Sequence, residues 1–186
     1  MSEFGQVTLS EIWRFPIKSV GGEQLLETEI LPTGIPGDRE FGLVAIDVDN
    51  KIISRKTPGN LALAEASAQI DGPVLNICHP THGEIEVEIR SGESNLGTLS
   101  VLGDTVYGID QGHEVADYFS GLLGKYVRRV RMDASRPPRK VETRVESDLN
   151  PTTTFTDGYP LTMHSLQSLQ AVNRHIEGFP ASNVQF

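Results

Sequence analysis

The segment of residues 41–55, "FGLVAIDVDNKIISR", decides the fold class, because two apolar runs flank a short stretch of turn-forming residues. Asp and Asn tolerate the unusual backbone angles of a tight turn, so "VDN" at residues 48–50 predicts a β-hairpin. Outward from it, β-type runs alternate with turns over about the first hundred residues, a spacing typical of a small antiparallel barrel or sandwich. The other runs are "VTLSEIWRF", "QLLETEIL", "LALAEASAQI", "VLNIC", "GEIEVEI" and "TLSVLGDTVYGID", the last turning at Gly103 and Asp104.

Two helices are predicted in the second half of the chain. Val115, Tyr118, Phe119 and Leu122 recur at helical spacing, and Gly124 is placed to end that helix. "KYVRRVRM" then returns to strand character, and residues 133–154 form a long loop or linker without a period. Ser165 predicts the cap of the second helix, whose apolar face holds the residues Leu166, Leu169, Val172 and Ile176.

The bulk composition is that of an ordinary globular protein, with 186 residues of which 38% are hydrophobic and 22% charged. Its net charge of -9 gives no global support for binding nucleic acid or an anionic membrane. One cysteine allows no intramolecular disulfide, and the N-terminus lacks the residues of a secretion signal. No run approaches the length of a membrane span, so we expect a cytoplasmic protein.

Basic residues are concentrated in one part of this acidic chain. Half of the 16 Lys and Arg residues lie between Lys125 and Arg144. Such a segment is either a solvated loop or a site for an anion or an acidic partner. The sequence alone leaves both interpretations open.

A candidate anion site lies in "IWRFPIKSVGGE", residues 12–23, where Lys18 and Ser19 precede two glycines. An ammonium beside a hydroxyl suits a phosphate or carboxylate, because the charge attracts the anion and the hydroxyl orients it. The alternative is a turn that faces solvent. Arg55 in "ISRKTP" either adds a forked donor to the same site or forms a surface ion pair. Asp38 and Arg39 are expected to brace a turn.

The only cluster of metal-ligand types in the sequence is Cys78, His79 and His82. A turn follows His79 and no fourth ligand lies nearby, so a zinc site is disfavoured. Cys78 follows the apolar run "VLNI", which favours a buried, inert thiol.

The ordered motifs "IWRFPIKSVGGE", "GIPGDREFGLVAID", "ISRKTP" and "DGYPLTMHSLQSLQAVN" resemble those of the MOSC-domain proteins, named after the C-terminal domain of molybdenum cofactor sulfurases. The resemblance covers almost the whole chain, and the family includes the mitochondrial amidoxime-reducing component. It implies a mainly β fold with a few helices (α+β), in which a MOSC N-terminal β-barrel precedes an incomplete MOSC β-barrel. The implied segments are 1–112 for the first barrel, 113–154 for a helix, strand and basic linker, and 155–186 for the start of the MOSC domain.

The resemblance also implies a cofactor, the molybdenum cofactor with its molybdopterin. The Lys-Ser pair of cofactor-binding relatives contacts the phosphate, and the Arg before the motif's proline helps to hold the same cofactor. "TDGYP" and the start of the following helix match groups that line the pterin pocket. The implied cofactor-binding residues are Lys18, Ser19, Arg55, Asp157, Ser165 and Asn183. "SRPPRK" adds Arg136 and Arg139 in a supporting role, and pyridoxal phosphate binding is a further association of the superfamily.

Two departures from the family pattern limit what the chain is expected to do. Ala181 in "FPASN" replaces an Arg of the family motif, and the cysteine that ligates molybdenum or carries sulfur has no counterpart, because Cys78 lies in the first barrel. The chain ends on an apolar run, so we expect a C-terminally truncated form. Because the thiolate fixes the metal while hydrogen bonds hold the pterin, we expect cofactor contacts without catalytic residues or metal ligands.

Three functions remain in consideration from the sequence. The full-length protein is expected to be a molybdenum-dependent oxidoreductase that reduces N-hydroxylated compounds with electrons from a redox partner protein. Alternatives are a sulfur carrier or transferase of the sulfurase type, and a non-catalytic module that binds an anion or partner. An open sheet edge would also favour a homodimer.

Overall fold

The computed structural model of the protein describes residues 7–45, 51–54, 56, 59–92, 95–137, 139–141 and 152–176. A 3-10 helix spans Leu61–Ala64. The α-helices are α1, His113–Leu123, and α2, Leu166–Ile176. The strands, in chain order, are β1 Ile12–Arg14, β2 Glu23–Leu25, β3 Phe41–Ala45, β4 Lys51–Ile52, β5 Ser67–Asp71, β6 Val74–His79, β7 Gly83–Glu88, β8 Asn95–Val101, β9 Asp104–Asp110, β10 Val127–Met132, β11 Arg139–Lys140 and β12 Thr152–Thr153.

A closed five-stranded barrel in the order β10-β3-β4-β8-β9 forms the centre of the molecule. The pairs Val44↔Ile52 and Ala45↔Lys51 confirm the hairpin predicted from residues 41–55, while its "VDN" loop lies outside the described residues. β8 and β9 form the second predicted hairpin. Its turn residues Leu102 and Gly103 have φ of 52° and 96°, as a tight hairpin turn requires.

Each barrel strand contributes to a core inside the barrel, because side chains alternate between the two faces of a strand. This core consists of Val44, Ile52, Leu99, Val101, Val106, Val130 and Phe155. Phe155 is fully buried, although it follows the long linker in sequence. Its burial fixes the chain of residues 152–157 to the barrel.

A second core lies between the outer face of the barrel and a layer made of the sheet β5-β6-β7 and helix α1. Val115 and Phe119 of α1 are fully buried here, which confirms the predicted apolar stripe. Gly124 ends the helix with φ of 63°, a conformation that glycine adopts without strain. Helix α2 has no buried residue, and Leu166 and Val172 of its apolar face are exposed.

Two sequence predictions were wrong in this second layer. The run "LALAEASAQI" is not one strand, because Leu61–Ala64 form a 3-10 helix that buries Leu63 before β5 begins. Cys78 is exposed rather than buried. The alternation of β6 places Leu75, Ile77 and His79 on the buried face and therefore turns Cys78 outward.

The mainly β fold with two helices and a closed barrel confirms the predicted fold class. Of the segment 155–186, the structure describes residues 155–176, and the boundaries of the three predicted segments stay predictions. Among the residues described, no helix combines the length and apolarity needed to cross a membrane.

Candidate anion-binding site

The backbone of Lys18 is fixed against the barrel. Its N–H donates to the carbonyl of Phe41 at 2.9 Å, and the preceding residue, Ile17, forms a parallel bridge with Phe41 and is fully buried. Ser19 has φ of 73°, which is unusual for a residue with a side chain and produces the sharp turn after Lys18. The Lys18 side chain is only 11% exposed, so the interpretation as a solvent-facing turn is wrong.

Lys18 meets Asp157, which lies 139 residues later in the sequence. The Lys18 ammonium contacts Oδ1 of Asp157, while the Lys56 ammonium lies 3.3 Å from Oδ2. One carboxylate therefore bridges two ammonium groups. Lys18 is nearly buried and Lys56 is 80% exposed, so the bridge runs from the protein interior to the solvent.

The segment that carries Asp157 is held by the turn at Asp38 and Arg39. The N–H of Phe155 donates to the carbonyl of Arg39 at 3.0 Å, and the Thr154 hydroxyl donates to the carbonyl of Asp38 at 2.9 Å. Asp38 accepts the N–H of Phe15 at 2.8 Å, which confirms the bracing role predicted for this turn. These bonds fix Asp157 beside Lys18.

Arg139 completes this cluster from the other side. Its Nε donates to Asp104 at 2.5 Å, and its Nη1 donates to the carbonyl of Thr156, the residue before Asp157. The pairing of Arg139 with Thr153 in the sheet β11-β12 sets this position. The other predicted supporting residue, Arg136, instead lies over the ring of Tyr107 and near Asp133.

The charges in this cluster are unequal. Its cations are Lys18, Lys56, Arg39 and Arg139, and the carboxylates that pair with them are Asp38, Asp104 and Asp157. Among the described residues, the cations of this cluster thus exceed its carboxylates by one at neutral pH. An excess cation next to a nearly buried ammonium favours a further anion.

The pKa shifts follow from these contacts. Burial lowers the pKa of Lys18, and the charges of Arg139 and Arg39 lower it further, against the opposing effect of Asp157. Burial raises the pKa of Asp157, but its hydrogen bonds and charge interactions with Lys18 and Lys56 outweigh burial. The pKa of Asp157 therefore lies below its usual value, and the carboxylate is ionised at neutral pH.

The structure brings together some of the predicted cofactor contacts and separates others. Lys18, Ser19 and Asp157 lie at one place, where Ser19 has no side-chain hydrogen bond to any described residue. Ser165 accepts the N–H of Ser168 at 3.1 Å, so it caps α2 as predicted, and none of the described contacts joins it to Lys18. Arg55 and Asn183 lie outside the described residues.

Sequence reasoning missed Lys56, which follows Arg55 in the motif "ISRKTP" and was not distinguished from an ordinary surface lysine. Lys56 could have been recognised as the second cation of the site only if Asp157 had been placed opposite this loop. In the part of the chain that the structure describes, no group of three His, Cys, Asp or Glu residues is arranged to hold a metal ion. His79 is buried and His82 is exposed.

Comparisons with known proteins place this site in a family context. The MOSC N-terminal beta barrel domain matches residues 6–126. The chain is 27% identical to a molybdenum cofactor sulfurase of Bombyx mori over 77% of the chain and 18% of that protein. It is 25% identical to a mitochondrial amidoxime reducing component 2 of Macaca fascicularis over 91% of the chain and 52% of that protein. The corresponding protein of Rattus norvegicus is 26% identical over 82% of the chain and 44% of that protein.

The solution structure of a Bordetella bronchiseptica protein is also similar, with a TM-score of 0.43 and 17% identity over 61% of this chain and 91% of that one. The chain spans about half the length, or less, of the curated relatives that it matches. The family match covers well over half of the 186 residues and includes Lys18 and four of the five barrel strands, β3, β4, β8 and β9. The chain belongs to the MOSC N-terminal beta barrel domain family.

Proposed function

We propose that the chain binds the molybdenum cofactor through the cluster around Lys18 and Asp157, as part of an oxidoreductase that reduces N-hydroxylated compounds. The observation that carries this proposal is the carboxylate of Asp157, which bridges two ammonium groups in a cluster with one excess positive charge. Family membership and the names of the relatives support it, because these names refer to molybdenum cofactor and amidoxime reduction.

The donor set fits a phosphorylated pterin. Phosphate oxygens accept hydrogen bonds from ammonium and hydroxyl groups, which Lys18, Lys56 and Ser19 provide. A pterin ring presents N–H donors, for which the Asp157 carboxylate is a suitable acceptor. The remaining predicted contacts, Arg55 and Asn183, would add a guanidinium and an amide to the same cofactor.

Binding requires a change in the pairing of Asp157. A phosphate and the Asp157 carboxylate are both negatively charged, so they cannot both occupy the position between the two ammonium groups. We infer that the phosphate takes Lys18 and Lys56 while the carboxylate turns towards pterin N–H groups. A phosphate dianion next to Lys18 would also raise the pKa of this lysine, because it stabilises the charged form.

When bound, the cofactor would supply the redox chemistry of its metal, and the protein would bind and orient it. The buried side of the cluster, from Lys18 to Phe155, would limit the access of water to the Lys18 contact, whereas the Lys56 contact would stay exposed. The electrons are expected to come from a redox partner protein. That partner, the cytoplasmic location and a homodimer all stay predictions.

The test compares cofactor retention in two matched lysine variants. The chain is expressed in a host that makes the cofactor, and molybdenum is measured by mass spectrometry and pterin by fluorescence after oxidation. We expect Lys18→Met to retain about tenfold less pterin, since it loses a charge-assisted hydrogen bond in a nearly buried position. Lys51→Met, which changes an exposed lysine of β4, should retain as much pterin as the unchanged chain. Equal retention in both variants, or no pterin in the unchanged chain, would overturn the proposal.

A further inference from the structure

A cleft with a volume of about 410 Å³ opens between the barrel and the edge of the three-stranded sheet. Its lining includes Phe41 of β3, Ile70 of β5 and Ile89, which follows β7. Arg14, Glu40 and Arg131 supply its charged groups. None of these residues belongs to the cluster around Lys18 and Asp157.

The charged groups that line the cleft are already paired. Arg14 contacts Glu23 at 2.7 Å, and Arg131 donates through Nε and Nη2 to one oxygen of Glu40 at 3.1 and 2.9 Å. These two pairs are electrically neutral. The Nη1 of Arg131 makes no hydrogen bond to the described residues, so it still offers N–H donors to a ligand.

A third arginine, Arg129, lies behind the cleft without a carboxylate. Its side chain is fully buried, and its guanidinium carbon is 4.8 Å from the centre of the Phe41 ring that lines the cleft. Nη2 donates to Gln111 at 3.3 Å, while Nε and Nη1 have no partner among the described residues. Asp110, whose charge acts on Arg129 from a distance, is paired with Arg128.

The charge of Arg129 acts through a medium with little water. Burial lowers the pKa of Arg129 to about 9, with a further lowering by Arg90 and Arg131 against the opposing charge of Asp110. The guanidinium is therefore still charged at neutral pH. A buried charge is poorly screened, so its field extends across the Phe41 ring into the cleft.

We propose that this cleft binds a small monocarboxylate with a flat apolar body, such as an aromatic acid. Ile70 and Ile89, which are half-buried, cover the apolar body, and Nη1 of Arg131, which has no partner among the described residues, donates to the carboxylate. The negative charge of the ligand compensates part of the positive charge at Arg129.

The test uses benzoate as the probe and benzamide as its neutral analogue of the same shape. Each is titrated into the isotopically labelled chain, and NMR follows the backbone amides of Gly37, Gly72 and Ser91, which line the cleft. We expect a saturable shift of these amides with benzoate and about tenfold weaker binding of benzamide, because only benzoate carries the charge.

Arginine variants then separate this cleft from other cations. Arg129→Met and Arg131→Met should each weaken benzoate binding about tenfold, and Arg136→Met, which changes an exposed arginine outside the cleft, should not. If Arg129→Met does not fold, Arg131→Met decides alone. Equal binding of benzamide and benzoate, no saturable shift, or unchanged benzoate binding in the folded variants of Arg129 and Arg131 would overturn the proposal.

Discussion

Arg128 and Arg129 are neighbours on β10, but they lie on opposite faces of the strand and in opposite electrostatic environments. Arg128 donates through Nε to Asp110 at 2.7 Å, its Nη2 lies 2.5 Å from the same oxygen, and Nη1 lies 3.0 Å from His113. Arg129 faces Phe41 and Gln111 and pairs with no carboxylate among the described residues. Two buried arginines thus differ in one respect: the charge of Arg128 is compensated by a carboxylate, and the charge of Arg129 is not.

The two pKa shifts show what the partner contributes. Burial lowers the pKa of both arginines, but the hydrogen bonds of Arg128 with Asp110 and Tyr126 outweigh burial and raise its pKa. No such bond opposes burial at Arg129, whose pKa falls to about 9. We conclude that Arg128 is held as a structural ion pair, whereas Arg129 is a charge that favours an external anion.

The largest predicted effect breaks the compensated pair. Asp110→Asn keeps an oxygen that can accept the N–H of Gly112, which Asp110 accepts at 2.7 Å, but it removes the charge that compensates Arg128. A buried cation is then left without its partner, so we expect the free energy of unfolding to fall by about 3 kcal/mol. Urea unfolding at neutral pH measures this loss.

A matched control for that change is Asp104→Asn. Asp104 also contacts an arginine, Arg139, at 2.5 Å. The Arg139 side chain is only 7% exposed, but that of Asp104 is 52% exposed, so water screens the pair from the carboxylate side. The expected loss is under about 1 kcal/mol. Similar losses in the two variants would contradict the conclusion that burial of the pair determines its contribution.

For Arg129→Met we predict a gain in stability instead of a loss. Its uncompensated charge costs several kcal/mol, whereas Arg129→Met loses one hydrogen bond, about 1 kcal/mol, and a cation–π contact of about 0.5–2 kcal/mol. We therefore expect the free energy of unfolding, without added carboxylate, to rise by about 1–2 kcal/mol in urea unfolding at neutral pH. A loss of stability in Arg129→Met would show that this arginine has a stabilising partner.

The pH dependence of this gain has a definite sign. The pKa of Arg129 is about 9 in the folded state and well above that in the unfolded state, so between these values the unfolded state binds more protons. The free energy of unfolding of the unchanged protein therefore rises with pH above about 9, because Arg129 loses its proton first in the folded state. Below that pH, the gain in stability of Arg129→Met over the unchanged protein should be constant. Unfolding curves of both proteins at neutral pH and at about pH 10 measure this difference, which should shrink at the higher pH.

Local patterns in the sequence predicted much of the fold. The hairpin of residues 41–55, the stripe containing Val115 and Phe119, the helix end at Gly124 and the Ser165 cap depend on neighbours within a few residues. Residues 61–64 were assigned to a strand, because alternation over so short a run does not distinguish a strand from one helical turn.

Such local patterns predicted much less of the candidate site. Lys18 and Asp157 are 139 residues apart, and only the family resemblance indicated that both belong to one site. Strand pairing and register determine three further features that the sequence did not predict. These are the contact of Lys56 with Asp157, the exposure of Cys78 and the missing partner of Arg129. Whether the predicted residues hold the cofactor stays a prediction.

The smallest change in stability is predicted for Asp157→Asn, which removes the partner of Lys18 at the surface and is compared with Asp110→Asn. Asp157 is half exposed, so we expect Asp157→Asn to lower the free energy of unfolding by only about 0.5 kcal/mol at neutral pH. Although burial raises the pKa of Asp157, its contacts with Lys18 and Lys56 bring this pKa below the unfolded value. Its contribution is therefore complete above that unfolded value, about pH 4, and is lost as the pH falls through the folded pKa.

Urea unfolding of the unchanged protein and of Asp157→Asn, at neutral pH and at about pH 2, measures this loss. The difference between their free energies of unfolding should disappear at the lower pH. Added salt at neutral pH should reduce the same difference, because water and ions screen a half-exposed pair. The pair Arg128–Asp110 provides the reference, since its burial should make Asp110→Asn much less sensitive to salt. A cost for Asp157→Asn as large as that for Asp110→Asn would mean that the Lys18 cluster is closed to solvent, which would leave a phosphate no path to its ammonium groups.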